Sequence, residues 1–126
     1  MGTATTLSVA DKKGNYIGGV ILPGLRVSLN SLSGKTAQLP YISLEVPNKV
    51  IGKNTIDCMR AGIVFSNVDM IDGILDRMEK ELGETPTVIA TGGLARFITP
   101  LCRHEIIFDD ALLLKGLLIL YRKNTQ

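Results

Sequence analysis

Two runs suited to strands open the chain. Thr3 to Ala10 is dense in Thr, Val and Leu, and Tyr16 to Leu22 is apolar, with Asp11-Lys12-Lys13-Gly14-Asn15 between them. Turn-forming residues flanked by β-prone runs predict a hairpin. Along the first run Thr3 and Thr5 share one face and Thr6 takes the other. Pro23-Gly24 closes the second strand, after which Leu25, Val27, Leu29 and Leu32 predict a short helix ended by Ser33-Gly34. Gln38 to Pro47, with two prolines, reads as an extended connection carrying a short strand.

From about Asn54 the period lengthens. Ile56, Met59, Ile63, Ile71, Ile74, Leu75, Met78 and Leu82 recur at helical intervals, with room for a break at Asp69 and Gly73. Gly83 supplies a left-handed C-terminal cap, and Pro86 follows it. Thr87 to Thr91 has no polar alternation, the pattern of a strand covered on both faces and central to its sheet. Gly92-Gly93 ends that strand, and Leu94 to Ile98 begins a helix directly. Ile106 to Phe108 predicts one more strand, and Asp109 to about Asn124 a last helix. That helix is apolar on nearly every face, so it is expected to be deeply buried or part of an interface. The order of elements is α/β with a leading hairpin.

Composition narrows the picture. The 126 residues, 45% hydrophobic and 21% charged, suffice for one core and one domain, 1–126. A formal charge of +2 without a charge run implies neither nucleic acid nor an anionic surface as partner. The start lacks the pattern of a signal peptide, and the longest apolar stretch, Ala111 to Tyr121, is too short for a membrane span. A soluble, cytoplasmic protein is expected.

Candidate chemistry is sparse. Cys58 and Cys102 lie far apart, and Cys102 with His104 offers too few ligands for a metal, so structural roles are expected for both and no metal site is assigned. The G-x-x-x-x-G-K-[ST] phosphate loop is missing, and Gly34-Lys35-Thr36 reads as a helix end. No G-x-S-x-G elbow occurs, and a catalytic triad would rest on the single histidine. Three clusters remain: Gly2-Thr3-Ala4-Thr5-Thr6, Gly52-Lys53-Asn54-Thr55 and Thr91-Gly92-Gly93. Each suits close approach of a phosphate or nucleotide, and each equally suits a turn or a helix cap.

Read in order, the segments GTATT, GGVILPGL, LP, IGKNT, AGIVF, IATGGLA, LLLKGL and YRKN resemble the type III pantothenate kinases along almost the whole chain. The resemblance implies a domain of the acetate and sugar kinase, heat-shock ATPase and actin superfamily: a ribonuclease-H-like, actin-like ATPase fold with a mixed sheet and flanking helices. It implies transfer of the γ-phosphoryl group of ATP to pantothenate, an early step towards coenzyme A, with Mg2+ and a monovalent cation, K+ or NH4+, and a homodimer. Thr3 is then placed on the ATP phosphates, Gly92 and Gly93 beside the adenosine, and Thr55 on pantothenate.

Only the second of the family's two domains is matched. The upstream Asp that helps bind the monovalent cation, the D-x-G-N-T phosphate motif and the G-x-D-R segment with the proton-accepting Asp have no counterpart, as a truncated chain or a mis-called start would explain. Asp57, Asp69 and Asp72 fall in no matched motif that would replace the base, so the chain alone is expected to be inactive. Ala61-Gly62 and Phe65-Ser66 stand where relatives commonly have Ser-Gly and Tyr-Gly. The other readings are a non-catalytic regulator similar to the Bvg accessory factor group and, fitting less well, a sugar kinase relative.

Overall fold

The computed structural model describes residues 1–2, 4–35 and 43–125, with backbone only for 33–35. Thr3 and Thr36, and most of the expected short strand after Gln38, lie outside the described residues. Residues 43–47, which are described, form no strand.

Strand β1 (Ala4–Ala10) pairs antiparallel with β2 (Tyr16–Pro23), Thr5 facing Leu22 and Leu7 facing Val20. Their turn is built by Asp11, whose carboxylate Oδ1 accepts the backbone N–H groups of Lys13 and Asn15 at 2.9 and 2.8 Å. These hydrogen bonds hold the Asp11 carboxyl below the usual carboxylate range, the Asn15 N–H contributing most. Thr5 is buried and Thr6 exposed, as strand alternation requires.

Helix α1 (Leu25–Lys35) runs through Ser33-Gly34 rather than ending there. A single glycine costs a helix only about 1 kcal/mol, too little to stop it. Helix α2 (Thr55–Leu82) is one continuous rod of 28 residues, where a break near Asp69 and Gly73 was expected. Its buried stripe from Met59 through Ile63, Val68 and Ile71 to Leu75 crosses that region without a gap. The two buried polar residues of α2 are satisfied without unwinding: the Asn67 amide donates to the Ile63 carbonyl at 2.8 Å, and the Asp72 carboxylate accepts the N–H groups of Arg103 and His104 at 2.8 and 3.1 Å. Gly83 ends the helix in the left-handed conformation, φ 72°, with its N–H on the Glu79 carbonyl.

Strand β3 (Val88–Ala90) is followed by α3 (Ala95–Ile98), a 3-10 turn at Thr99–Leu101 and β4 (Ile106–Phe108). Strands β3 and β4 are parallel, Val88 opposite Ile106 and Ala90 opposite Phe108. Leu25 and Leu29 of α1, five apolar residues of α2 and Ile98 make the core against which this crossover packs.

Further sequence expectations need correction among the described residues. The strands form two separate pairs instead of one mixed sheet, and β3 has β4 as its hydrogen-bonded neighbour rather than a central place. A cavity of about 390 Å³ opens between β1, β3 and the Ile71, Leu75, Met78 and Leu82 side of α2. Nor is β3 covered on both faces, since Ile89 is 49% exposed. Apolar composition permits double cover but does not provide the covering element. The same holds for α4 (Leu112–Asn124), whose side chains are exposed throughout, Leu113 at 72%. Among the described residues no helix is long and apolar enough to cross a membrane.

Candidate nucleotide site

The carboxyl ends of parallel neighbouring strands are where α/β sheets commonly place ligands. Here β3 runs into Thr91-Gly92-Gly93 and β4 into Asp109-Asp110. The Asp109 N–H donates to the Ala90 carbonyl at 2.8 Å and so continues the parallel pairing past the strands. The Asp109 carboxylate accepts the Ala111 N–H at 3.0 Å and the Lys115 ammonium at 2.7 Å. The lysine is the main reason its carboxyl lies below the usual range. Phe108 and Asp110 are thereby fixed opposite the glycine turn.

Gly92 takes φ 105°, and a Cβ at that position would run into the Met1 backbone. The Met1 ammonium donates to the Thr91 carbonyl at 2.7 Å. The glycine turn thus lies on Met1, just before β1, and Thr91 shares the lining of the cavity beside β1 with Thr5 and Thr6. Gly93 is exposed with open space around it. Thr3 lies outside the described residues.

Beside the turn is a cavity of about 520 Å³ lined by Thr91, Gly92, Gly93, Arg96, Phe108, Asp110 and Leu113, within the size range of small-molecule sites. The Arg96 guanidinium lies 5.0 Å from the Phe108 ring centre and 3.5 Å from the Asp110 carboxylate. Arg96, Phe108 and Asp110 were not singled out in the sequence. Their available signal was position, just after the glycine pair and at the end of the strand that pairs with β3.

Thr55 is placed elsewhere. It is the exposed first residue of α2, behind the N-cap Asn54, whose side chain accepts the Asp57 N–H and donates to the Asp57 carboxylate, both at 2.9 Å. It lines neither cavity described above.

Cys102 and His104 serve the crossover. His104 Nε2 lies 2.7 Å from the Asp76 carboxylate and Nδ1 lies 3.5 Å from that of Glu79. Asp76 also binds Arg103 at 2.8 Å. Burial pushes the Cys102 thiol up to about 11, with Asp72 and Asp69 adding to the effect. Among the described residues no three His, Cys, Asp or Glu side chains gather to hold a metal ion. The described residues thus offer no carboxylate cluster of the kind that would hold Mg2+.

The sequence profile of the type III pantothenate kinases matches residues 1–77, from β1 through most of α2. The chain belongs to the type III pantothenate kinase family. It is 40% identical over 124 residues to the type III pantothenate kinase of Syntrophus aciditrophicus, covering 98% of this chain and 49% of that protein. It is 46% identical over 123 residues to that of Citrifermentans bemidjiense, covering 98% and 48%. The chain thus spans about half the length of the curated relatives it matches. A solved structure from Campylobacter jejuni, described as a Baf family transcriptional activator, superposes with TM-score 0.62 at 20% identity, covering 98% of this chain and 55% of that one. That likeness establishes a shared α/β fold between this pantothenate kinase family member and the Campylobacter protein.

Proposed function

We propose that this chain is the C-terminal half of a type III pantothenate kinase, a ribonuclease-H-like, actin-like ATPase domain that forms one wall of a cleft. There the complete protein transfers the γ-phosphoryl group of ATP to pantothenate. The observation that carries the reading is the packing of the Gly92 turn onto the Met1 backbone beside an open cavity. The Gly92-Gly93 turn brings little side-chain bulk to that cavity, which suits close approach of a nucleotide. In this reading Gly92 and Gly93 border the adenosine, Thr3 faces the phosphates, and Thr55 meets pantothenate away from the nucleotide cavity.

Phosphoryl transfer depends on positioning, on neutralising charge at the transferring oxygens, and on an aspartate that takes the hydroxyl proton. Asp72 is buried and bound to two backbone N–H groups. Asp57 is tied into the α2 cap. Asp69 is exposed on α2, and like Asp57 and Asp72 it lines neither cavity, so this reading assigns the base to the other half of the protein. ATP, Mg2+ and the monovalent cation then belong to the complete cleft, and the complete enzyme is a homodimer.

The test is a coupled assay of ADP release with ATP, pantothenate, magnesium and a potassium salt. It compares this chain with one extended upstream to the full length of its relatives. Activity only in the extended chain is expected. Turnover by this chain alone would overturn the assignment of the base, and silence in both would favour a non-catalytic relative.

A further inference from the structure

We infer that Arg96 is the base-stacking wall of the nucleotide cavity, its guanidinium held against Phe108 and tethered by Asp110 until a purine lies on it. The inference rests on the reading of the glycine-turn cavity as the ATP site and assigns a role to residues which that reading leaves without one. A guanidinium is planar, and it stacks on aromatic rings and on nucleobases alike. In this structure it sits 5.0 Å from the Phe108 ring centre, at the wall of the cavity that Gly92 and Gly93 border.

The tether suits this role. Arg96 and Asp110 are 3.5 Å apart with both side chains 72% exposed, an ion pair weak enough to rearrange when a ligand enters. Phe108 is fixed more firmly, because β4 pairs with β3 and Asp109 extends that pairing to Ala90. The ring is therefore the platform and the arginine the adjustable layer. Leu113 adds an apolar wall, and the glycine pair opposes it without side chains. This arrangement favours a flat, partly apolar ring system over a bare polyphosphate. The ligand class is a purine nucleotide.

The experiment titrates the isotopically labelled chain with MgATP and, separately, with magnesium tripolyphosphate, following the Gly92 and Gly93 amide resonances. The wild-type chain is expected to prefer ATP, and Arg96→Lys, which keeps the charge but loses the plane, is expected to lose about tenfold of that preference. Phe108→Leu, which removes the platform, should lose a similar share. Arg96→Lys with the wild-type preference intact overturns the inference. So does equal weakening of both ligands, because Arg96 would then act on phosphate charge. If ATP leaves Gly92 and Gly93 unmoved in the wild-type chain, the nucleotide reading of the cavity itself falls.

Discussion

At Gly92 two requirements coincide: a backbone torsion, φ 105°, that side-chain-bearing residues rarely adopt, and a Met1 backbone that occupies the space of a Cβ. Its neighbour Gly93 meets neither requirement. Gly92→Ala is therefore expected to lower stability by about 1–3 kcal/mol and to abolish ATP-induced shifts. Gly93→Ala should leave the melting temperature within about a degree of wild type. Thermal unfolding of the two variants checks both. The turn was legible in the sequence because glycine has few physical substitutes there. Arg96, Phe108 and Asp110 were not legible, because what makes them neighbours is the parallel pairing of two three-residue strands, and no local pattern encodes it.

Among the elements, the segment Cys102 to Glu105 is clipped to α2 by side chains one helical turn apart. Asp72 takes its backbone N–H groups, and Asp76 takes the Arg103 and His104 side chains. The Arg103 hydrogen bond, followed by that of His104, holds the Asp76 carboxyl below the usual carboxylate range. A carboxyl lowered in the folded state contributes stability above its unfolded value and loses it as pH falls through the folded value. The urea midpoint is expected to drop as pH falls from about 5 towards 2, and Asp76→Asn should flatten that slope. Some slope remains in the variant, since Asp11 is lowered as well. An unchanged slope in Asp76→Asn would mean that the clip does not carry the acid sensitivity. At this scale the sequence was informative about the hairpin, the Asn54 and Gly83 caps and β4. It left room for a break at Asp69 and Gly73 that the continuous α2 does not have, because the buried stripe on either side packs on one core.

For the whole molecule the salient feature is α4, where seven large apolar side chains from Leu113 to Tyr121 are each at least 46% exposed. Contiguous apolar surface on this scale drives association. At tens of micromolar the chain is expected to self-associate. The pair Leu114→Glu and Leu118→Glu, on one side of the helix, should return it to monomer without loss of helical signal. Sedimentation velocity with far-UV circular dichroism separates the outcomes, and a wild-type chain that stays monomeric would refute the prediction. The α/β class was legible because hairpin, helix and short-strand periods differ. The separation of the strands into two pairs was not, because sequence patterns do not register the space between β1 and β3.

The unequal reach of those two pairs sets an order of assembly. Strands β1 and β2 are joined by a short turn, and such hairpins close within about 1–10 μs. The parallel pair joins Val88 to Ile106 across α3 and the 3-10 turn, and pairings that close a longer loop are expected to form later. The glycine turn, which follows β3, is thus expected to be organised after the hairpin. Any ligand resting on it would bind the folded form alone and favour that closure by mass action, so ligand binding and completion of folding would be coupled at one turn.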